Sequence, residues 1–108
     1  MSIATTILEQ LGGGRFLAMT GCHHLVDDGR TLRMSIPRNF SKANRLYGTL
    51  DWDDTYTMRF FYYRSGWIST KTGKEVEPKT VEVKTVKGVY FDMLEEIFTS
   101  VTGMYTRL

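Results

Sequence analysis

The segment Thr55–Arg64, TYTMRFFYYR, combines more aromatic and β-favouring residues than any other stretch of similar length. Its residues alternate between two series. The first series is apolar throughout and contains Tyr56, Met58, Phe60 and Tyr62, while the second contains Thr55, Thr57, Arg59, Phe61 and Tyr63. A period of two residues is that of a pleated strand, and aromatic residues and threonine favour strands. The pattern therefore predicts a central strand whose first series lies on the core.

Shorter strands are predicted on both sides of this segment. An Asp-Gly step lies between two β-compatible runs, His23–Val26 and Thr31–Ile36, and such a step is a strong hairpin signal. The other strand candidates are Arg15–Thr20, Leu46–Trp52, Trp67–Thr70 and Thr80–Lys87. Asp53 and Asp54 are predicted to form the turn that joins Leu46–Trp52 to the central strand as a hairpin.

Both ends of the chain show the helical spacing of apolar residues. Ser2–Leu11 is predicted to be a helix with Thr6 and Glu9 as a capping box, and the glycines at 12–14 end it as a C-cap and hinge. A second helix is predicted over Tyr90–Thr102, where the apolar residues form one stripe. The stripe consists of Tyr90, Leu94, Ile97, Phe98 and Val101. The order of elements predicts an α+β fold, with N- and C-terminal helices packed on an antiparallel, meander-like sheet of about five strands.

The composition is that of an ordinary folded domain. Of the 108 residues, 42% are hydrophobic and 24% are charged, which predicts one domain over residues 1–108 rather than a disordered chain. Cys22 is the single cysteine, which excludes an internal disulfide and fits a reducing compartment. No signal peptide is recognisable, and no apolar run approaches the roughly 18 residues of a membrane span. We therefore expect a cytoplasmic protein without a membrane partner.

Charge is distributed unevenly along the chain, although the net value is only +2. The charged residues of the stretch 30–45 are all basic: Arg30, Arg33, Arg38, Lys42 and Arg45. Acids follow at Asp51, Asp53 and Asp54, and again at Asp92, Glu95 and Glu96. Within the basic stretch, Arg38–Arg45 is polar apart from Phe40 and is predicted to be a loop. This pattern predicts a molecule with one basic side.

The two ends of the chain resemble those of a known group of proteins. Leu11–Gly21, LGGGRFLAMTG, and Gly88–Leu108, GVYFDMLEEIFTSVTGMYTRL, carry the resemblance. The group consists of small phage- and prophage-encoded proteins of unknown function, which begin with a similar Gly-Gly, Phe and Met-Thr-Gly run and end with a similar Thr-Gly-x-Tyr-Thr tail. The resemblance implies a bacterial or phage cytoplasmic setting and an accessory role in regulation or in countering host defences. It brings no catalytic residues.

A set of basic and aromatic residues is the best candidate for a binding surface. The set comprises Arg38, Lys42, Arg45, Arg59, Phe61, Tyr63, Arg64 and Trp67. Where a sheet surface holds single-stranded nucleic acid, aromatic rings stack on bases and cations contact phosphates. The alternative is that Phe61 and Tyr63 lie beneath a terminal helix, in which case the basic loop remains as a contact surface for an acidic protein.

Two other clusters offer chemistry of lower specificity. Cys22, His23 and His24 are adjacent, but neighbouring strand residues point to opposite faces, which disfavours both a zinc site and a Cys-His nucleophile. Asp51 and Asp53 would share a face and bind Mg²⁺, as in a metal-dependent nuclease, if the preceding strand continued that far.

These patterns together favour binding over catalysis. We predict a non-enzymatic accessory protein of a phage or mobile element that binds a host or phage protein. The alternatives are a single-stranded nucleic-acid-binding protein, with DNA or RNA as its partner, and a metal-dependent nuclease. We predict no catalytic residue, metal site or cofactor, and a homo-oligomer is compatible with the sequence.

Overall fold

The structure, a computed structural model, describes residues 2–106. Two helices, α1 (Ile3–Leu11) and α2 (Gly13–Thr20), precede the strands, and α3 (Leu94–Thr102) follows them after a 3-10 turn at Phe91–Met93. The strands are β1 (His23–Asp28), β2 (Thr31–Ser35), β3 (Arg45–Leu50), β4 (Tyr56–Arg64), β5 (Trp67–Ile68), β6 (Glu75–Val76) and β7 (Lys79–Val89). Within residues 2–106, none of the helices has the length and apolar character needed to cross a membrane. The predicted α+β class with helices at both ends is confirmed.

Five strands form one antiparallel sheet in the order β1-β2-β3-β4-β7. The predicted Asp-Gly hairpin joins β1 to β2, with Asp28 opposite Thr31. β4, which covers most of the predicted central strand, is an inner strand between β3 and β7, and Leu46 of β3 lies opposite Phe60. The predicted meander of about five strands is therefore confirmed.

One face of this sheet carries the core. The buried strand residues on this face include Leu32, Met34, Leu46, Tyr56, Met58, Phe60 and Val89, and the helices pack on them with side chains that include Ile7, Leu11, Phe16, Leu94 and Phe98. The ring centroid of Phe98 lies 4.9 Å from that of Phe16 and 6.3 Å from that of Phe60, so two helices and β4 meet at this residue. Full burial of one such ring contributes about 2–3 kcal/mol.

Tyr62 is the exception in the apolar series of β4. The sequence predicts it in the core, but 37% of its surface is exposed. The helical core reaches along β4 as far as Phe60, and Tyr62 lies beyond it with Val81 of β7 as its cross-strand partner. The prediction is wrong because β4 is longer than the helical layer that covers it.

Residues 15–20 belong to α2 and not to the predicted strand. Phe16 and Thr20 are buried one helical turn apart, and the Thr20 hydroxyl donates a hydrogen bond of 2.7 Å to the Phe16 carbonyl. A short apolar run fits a strand or a buried helix equally well. The strand prediction is wrong because the helical spacing allows Phe16 to pack against Phe98 in α3.

Ser2 caps the N-terminus of α1, in place of the predicted pair Thr6 and Glu9. The Ser2 hydroxyl accepts a hydrogen bond of 3.1 Å from the backbone N–H of Thr5, which satisfies one of the free donors in the first turn. Thr6 already lies inside the helix, where its hydroxyl donates to the Ser2 carbonyl over 3.2 Å. The capping-box prediction is wrong because the helix begins at Ile3.

β5 and β6 form a separate two-stranded arm between β4 and β7, with Trp67 opposite Val76. β5 is shorter than the predicted strand Trp67–Thr70, and β6 lies inside the predicted connection Lys71–Pro78. Gly66 allows the two sides of the arm to meet, since a Cβ at this position would lie 2.8 Å from the carbonyl oxygen of Val76. The described molecule is elongated, at 50 × 32 × 23 Å.

Candidate binding site

The helices lie on one face of the five-stranded sheet, and no helix within residues 2–106 covers the opposite face, which we call the open face. The core that they form with the sheet includes Met58 and Phe60 but not Phe61. Arg59, Phe61 and Tyr63 alternate with the core residues along β4 and therefore point to the open face. The alternative in which a terminal helix covers Phe61 and Tyr63 is wrong, because the helices pack on the other face.

Arginine and aromatic side chains of the open face cover one another. In the register of β3 and β4, Arg45 lies opposite Phe61 and Tyr47 lies opposite Arg59. The rings of Tyr47 and Phe61 meet edge-on with their centroids 4.8 Å apart, and the guanidinium carbon of Arg59 lies 5.1 Å from the centroid of Phe61. Phe61 is only 6% exposed as a result. Little of its ring surface is left on which a nucleic-acid base can stack.

Two arginines of the open face form ion pairs within the sheet. Nε of Arg59 lies 3.2 Å from Oε1 of Glu82, and Nε of Arg33 lies 3.8 Å from Oδ2 of Asp28. Glu82 also accepts a hydrogen bond from the hydroxyl of Thr85, and this bond, followed by the contacts with Arg59, holds the pKa of the Glu82 carboxyl below its usual value. Neighbouring acids therefore balance part of the positive charge of this face.

Arg45 and Tyr63, both members of the predicted set, lie together on the open face, and Arg45 has no acidic partner within residues 2–106. The guanidinium of Arg45 donates to the Asn44 carbonyl over 3.0 Å, and its central carbon lies 5.7 Å from the ring centroid of Tyr63. Both side chains are half-buried. This pair therefore places a cation without an acidic partner among the described residues beside an aromatic ring.

Arg64 and Trp67 lie apart from this surface, where β4 leads into the arm. The guanidinium carbon of Arg64 lies 4.8 Å from the ring centroid of Trp67. Arg64 follows Tyr63 in the strand and so points to the other side of the sheet. The structure therefore does not assemble the predicted set into one surface.

The remaining two members of the set, Arg38 and Lys42, lie in a loop that borders a cleft. The loop contains residues 37–44, which confirms the predicted loop except that Arg45 is already the first residue of β3. The cleft has a volume of about 750 Å³ and is lined by residues 36–44 together with Tyr62, Val81 and Val83. Phe40, in the same loop, is 90% exposed. We call this feature the loop cleft.

Hydrogen bonds of two asparagines fix the shape of the loop. The side-chain amide of Asn39 donates to two carbonyl groups of the loop over 2.8 and 2.7 Å. The side chain of Asn44 donates to the carbonyl of Tyr63 and accepts from its N–H, each over 2.8 Å. The N–H of Phe40 donates to the Thr102 carbonyl of α3 over 3.1 Å. The loop is thus bonded to both the sheet and a helix, which makes the cleft a pre-formed feature of the fold.

The apolar lining of the loop cleft is not among the features predicted from the sequence. Phe40 offered a signal, because it is the only large apolar residue of a polar loop. Val81 and Val83 alternate with charged residues and so indicated only a half-exposed strand. What brings these side chains together is the pairing of Tyr62 with Val81, and that register follows from tertiary structure.

Asp51 and Asp53 stabilise the turn between β3 and β4. β3 ends at Leu50, so the strand does not continue far enough to place both carboxylates on one face. Asp51 accepts a hydrogen bond of 2.5 Å from the hydroxyl of Thr57. Asp53 accepts bonds from the hydroxyl and the N–H of Thr55, over 2.6 and 3.1 Å, and these lower the pKa of its carboxyl. Both carboxylates are engaged in local hydrogen bonds of the turn.

The Cys-His-His cluster is divided between the interior and the surface. Cys22 is buried, and this burial raises the pKa of its thiol, an effect that a hydrogen bond with Thr20 partly offsets. A raised pKa lowers the fraction of reactive thiolate. His23 and His24 are exposed, with their ring centroids 4.5 Å apart. In the part of the chain that the structure describes, no group of three or more His, Cys, Asp or Glu side chains is placed to hold a metal ion.

No protein-family model, curated protein or solved structure matches the chain.

Proposed function

We propose that this chain is a non-enzymatic accessory protein of a phage or other mobile element, which acts in the bacterial cytoplasm by binding a host protein at the loop cleft. The observation that carries the proposal is the gathering of exposed apolar side chains around this cleft: Phe40, Tyr62, Val81 and Val83. Contiguous apolar surface on a folded domain is typical of interaction sites. The bacterial setting, and a role in regulation or in countering host defences, rest on the resemblance of the chain ends.

The charges beside the cleft indicate the chemistry of the partner. Arg38 and Lys42 are exposed, and the described residues that line the cleft include no Asp or Glu. A protein segment with one large apolar residue between acidic residues would match both features, because the apolar group enters the cleft while the acids meet the two cations. Apolar anchors inside a polar rim are the usual arrangement of protein interfaces.

The rigidity of the loop supports the same proposal. Binding to a mobile loop would require its residues to lose conformational freedom, which reduces affinity. Here the hydrogen bonds of Asn39 and Asn44 already hold the loop in one shape. The cleft can therefore receive a partner with little reorganisation of its own backbone.

Affinity capture from a bacterial lysate tests the proposal with a matched pair of variants. Phe40→Ser removes the ring beside the cleft, and Trp52→Ser removes an equally exposed ring, 88% against 90%, from the β3–β4 turn. We expect the wild type and Trp52→Ser to retain the same acidic host protein, and Phe40→Ser to bind it at least about tenfold more weakly. Equal retention by the two variants would contradict a partner site at the cleft.

Single-stranded nucleic acid is a second candidate partner, favoured by the Arg45–Tyr63 pair next to the basic loop. A cation without an acidic partner beside an aromatic ring suits contact with a phosphate and a base. Under this alternative, affinity for single-stranded DNA or RNA falls steeply as salt rises, and Arg45→Ala weakens it more than Arg59→Ala, since Arg59 is paired with Glu82. Absence of binding at low salt would exclude this partner class.

A further inference from the structure

A second groove lies along α3, and it is acidic where the loop cleft is basic. The groove has a volume of about 880 Å³, and its lining includes Phe91, Asp92, Glu96, Thr99, Ser100 and Tyr105. No Lys or Arg occurs among the described residues that line it. Phe91 and Tyr105 are both largely exposed. The groove therefore offers aromatic rings and carboxylates to a ligand that carries an apolar group and positive charge.

The loop of residues 37–44 has the complementary chemistry. Its Phe40 projects into solvent, with Arg38 two positions before it and Lys42 two positions after it. An aromatic ring packs well against other rings, and the flanking cations can pair with carboxylates or lie over aromatic faces. The loop of one copy is thus a chemical match for the acidic groove of another.

The loop and the carboxylates of Asp92 and Glu96 in the acidic groove lie toward opposite ends of the same exposed side of α3. Glu96, Thr99 and Gly103 are spaced by three and four residues, which places them on one side of the helix. Phe40 lies at the C-terminal end of this side. A Cβ added to Gly103 would lie 3.3 Å from the Cβ of Phe40. Glu96 lies seven residues earlier, which is about 10 Å along a helix. The positive and negative ends of this surface are thus about two helical turns apart.

We propose that two copies of the chain pair through this side of α3, with their helices antiparallel about a two-fold axis. In that arrangement the Phe40 loop of each copy faces the acidic groove of the other, so one geometry forms both contacts at once, as two-fold interfaces require. Arg38 and Lys42 of one copy meet Asp92 and Glu96 of its partner. Because Phe40 cannot serve two contacts, this self-pairing competes with a host protein for the loop.

The pairing is expected to be weak. A loop and one helix face bury less than the roughly 1,200–2,000 Å² of standard stable interfaces, so we expect a Kd of about 10–500 µM. Ionic contacts at an exposed interface also weaken as salt screens them. Sedimentation equilibrium of the purified protein up to about 1 mM should therefore show the average mass rising above the chain mass of 12.5 kDa at low salt and less so at high salt.

Charge-reversed variants identify the interface. R38E/K42E makes the loop negative, and D92K/E96K makes the groove positive, so each variant alone should remain monomeric. Mixed in equal amounts, the two variants regain attraction at both contacts and should associate at least as strongly as the wild type. K71E/K74E, which changes the net charge as much as R38E/K42E but lies in the exposed arm, is the control partner, because it restores only one of the two contacts with D92K/E96K.

The measurement needs no host protein, so it tests self-pairing independently of the proposed binding to a host protein. A wild type that stays monomeric to about 1 mM, single variants that still associate, or a swapped mixture no stronger than the control mixture would each overturn the pairing, and none of them would affect partner binding at the loop cleft. Circular dichroism verifies that the variants fold. Should D92K/E96K unfold, Glu96→Lys combined with Tyr105→Ala replaces it, because this variant leaves the 3-10 turn at Phe91–Met93 unchanged and both side chains are exposed.

Discussion

The ring of Phe61 packs edge-on against the ring of Tyr47, with 4.8 Å between their centroids and 83° between their planes. This contact explains how a phenylalanine is buried on a sheet face that none of the described helices covers. Edge-to-face pairs contribute about 0.5–1.5 kcal/mol beyond the burial of their area. Phe61 therefore stabilises the sheet and is not available to a partner. The apolar side chains that are exposed to a partner lie at the loop cleft.

Replacement of Phe61 should destabilise the fold more than replacement of its neighbour. We expect Phe61→Ala to lower the free energy of unfolding by about 2–4 kcal/mol, because it leaves a cavity beneath Tyr47 and Arg59. Tyr63→Ala, at a half-buried position, should cost less than about 1.5 kcal/mol. Urea titrations measure both values, provided that the slope of unfolding free energy against urea concentration is the same in variant and wild type. A loss below about 0.5 kcal/mol for Phe61→Ala would mean that this ring is not part of a packed cluster.

The pKa of Glu82 should depend on the hydroxyl of Thr85. This hydrogen bond is the largest cause of the lowered pKa, so Thr85→Val should raise the pKa toward the ordinary carboxyl value, while Thr80→Val on the same strand should leave it unchanged. A lowered pKa in the folded state means that the carboxylate stabilises the fold above the ordinary pKa of about 4.3, and that this contribution is lost as the pH falls through the lower folded value. NMR titration of the side-chain carboxyl carbon follows the change. The same pKa in Thr85→Val and wild type would rule out this hydrogen bond as the cause.

Two neighbouring glycines in α2 should respond in opposite directions to alanine. At Gly14 an added Cβ meets no atom within 4 Å, so Gly14→Ala should stabilise the helix by about 0.5–1 kcal/mol. Gly13 has a φ of +60°, where a side chain costs roughly 1 kcal/mol, so Gly13→Ala should destabilise. Thermal or urea unfolding measures whether each variant is more or less stable than the wild type. Two changes of the same sign would contradict either the positive φ of Gly13 or the open space around Gly14.

The arm should be sensitive to a single methyl group at Gly66. Gly66→Ala would bring a Cβ to 2.8 Å from the Val76 oxygen and 3.0 Å from Cδ of Pro78, so the two sides of the arm must separate. Hydrogen exchange at the Trp67 and Val76 amides should become faster, while exchange in β3 and β4 stays the same. Ser65→Ala, one residue earlier, is the control. Unchanged exchange in the arm would show that the close approach at Gly66 is not required.

The sequence predicted the elements whose residue pattern has a single interpretation. β4 alternates over nine residues and forms with nearly the predicted bounds. α3 carries an apolar stripe with helical spacing but begins at Leu94, four residues later than predicted, because residues 91–93 form a 3-10 turn. The prediction that Tyr90 belongs to the helical stripe is wrong, since Tyr90 is extended and exposed. α2 was mistaken for a strand because its short apolar run fits two periods. Its true state depends on the contact between Phe16 and Phe98, residues far apart in the sequence.

The candidate site was predicted only in part for a related reason. Residue types located the basic loop with Arg38 and Lys42, and strand periodicity placed Arg59, Phe61 and Tyr63 on one face. The loop cleft, in contrast, exists because the helical layer ends before Tyr62 and because β7 brings Val81 next to it. How far the helices extend over the sheet depends on tertiary packing. It cannot be predicted from the pattern of residues within one segment of the chain.

Site-specific photo-crosslinking in cells tests whether a host protein binds at the loop cleft. A photoreactive phenylalanine analogue takes the place of Phe40 in one protein and of Trp52, an equally exposed ring outside the cleft, in another. The account predicts a crosslink to one acidic host protein from position 40 and none to that protein from position 52. A product of two copies of the chain has twice the chain mass and is told apart by size. Equal crosslinking of the same host protein from both positions, or none from position 40, would contradict partner binding at the loop cleft.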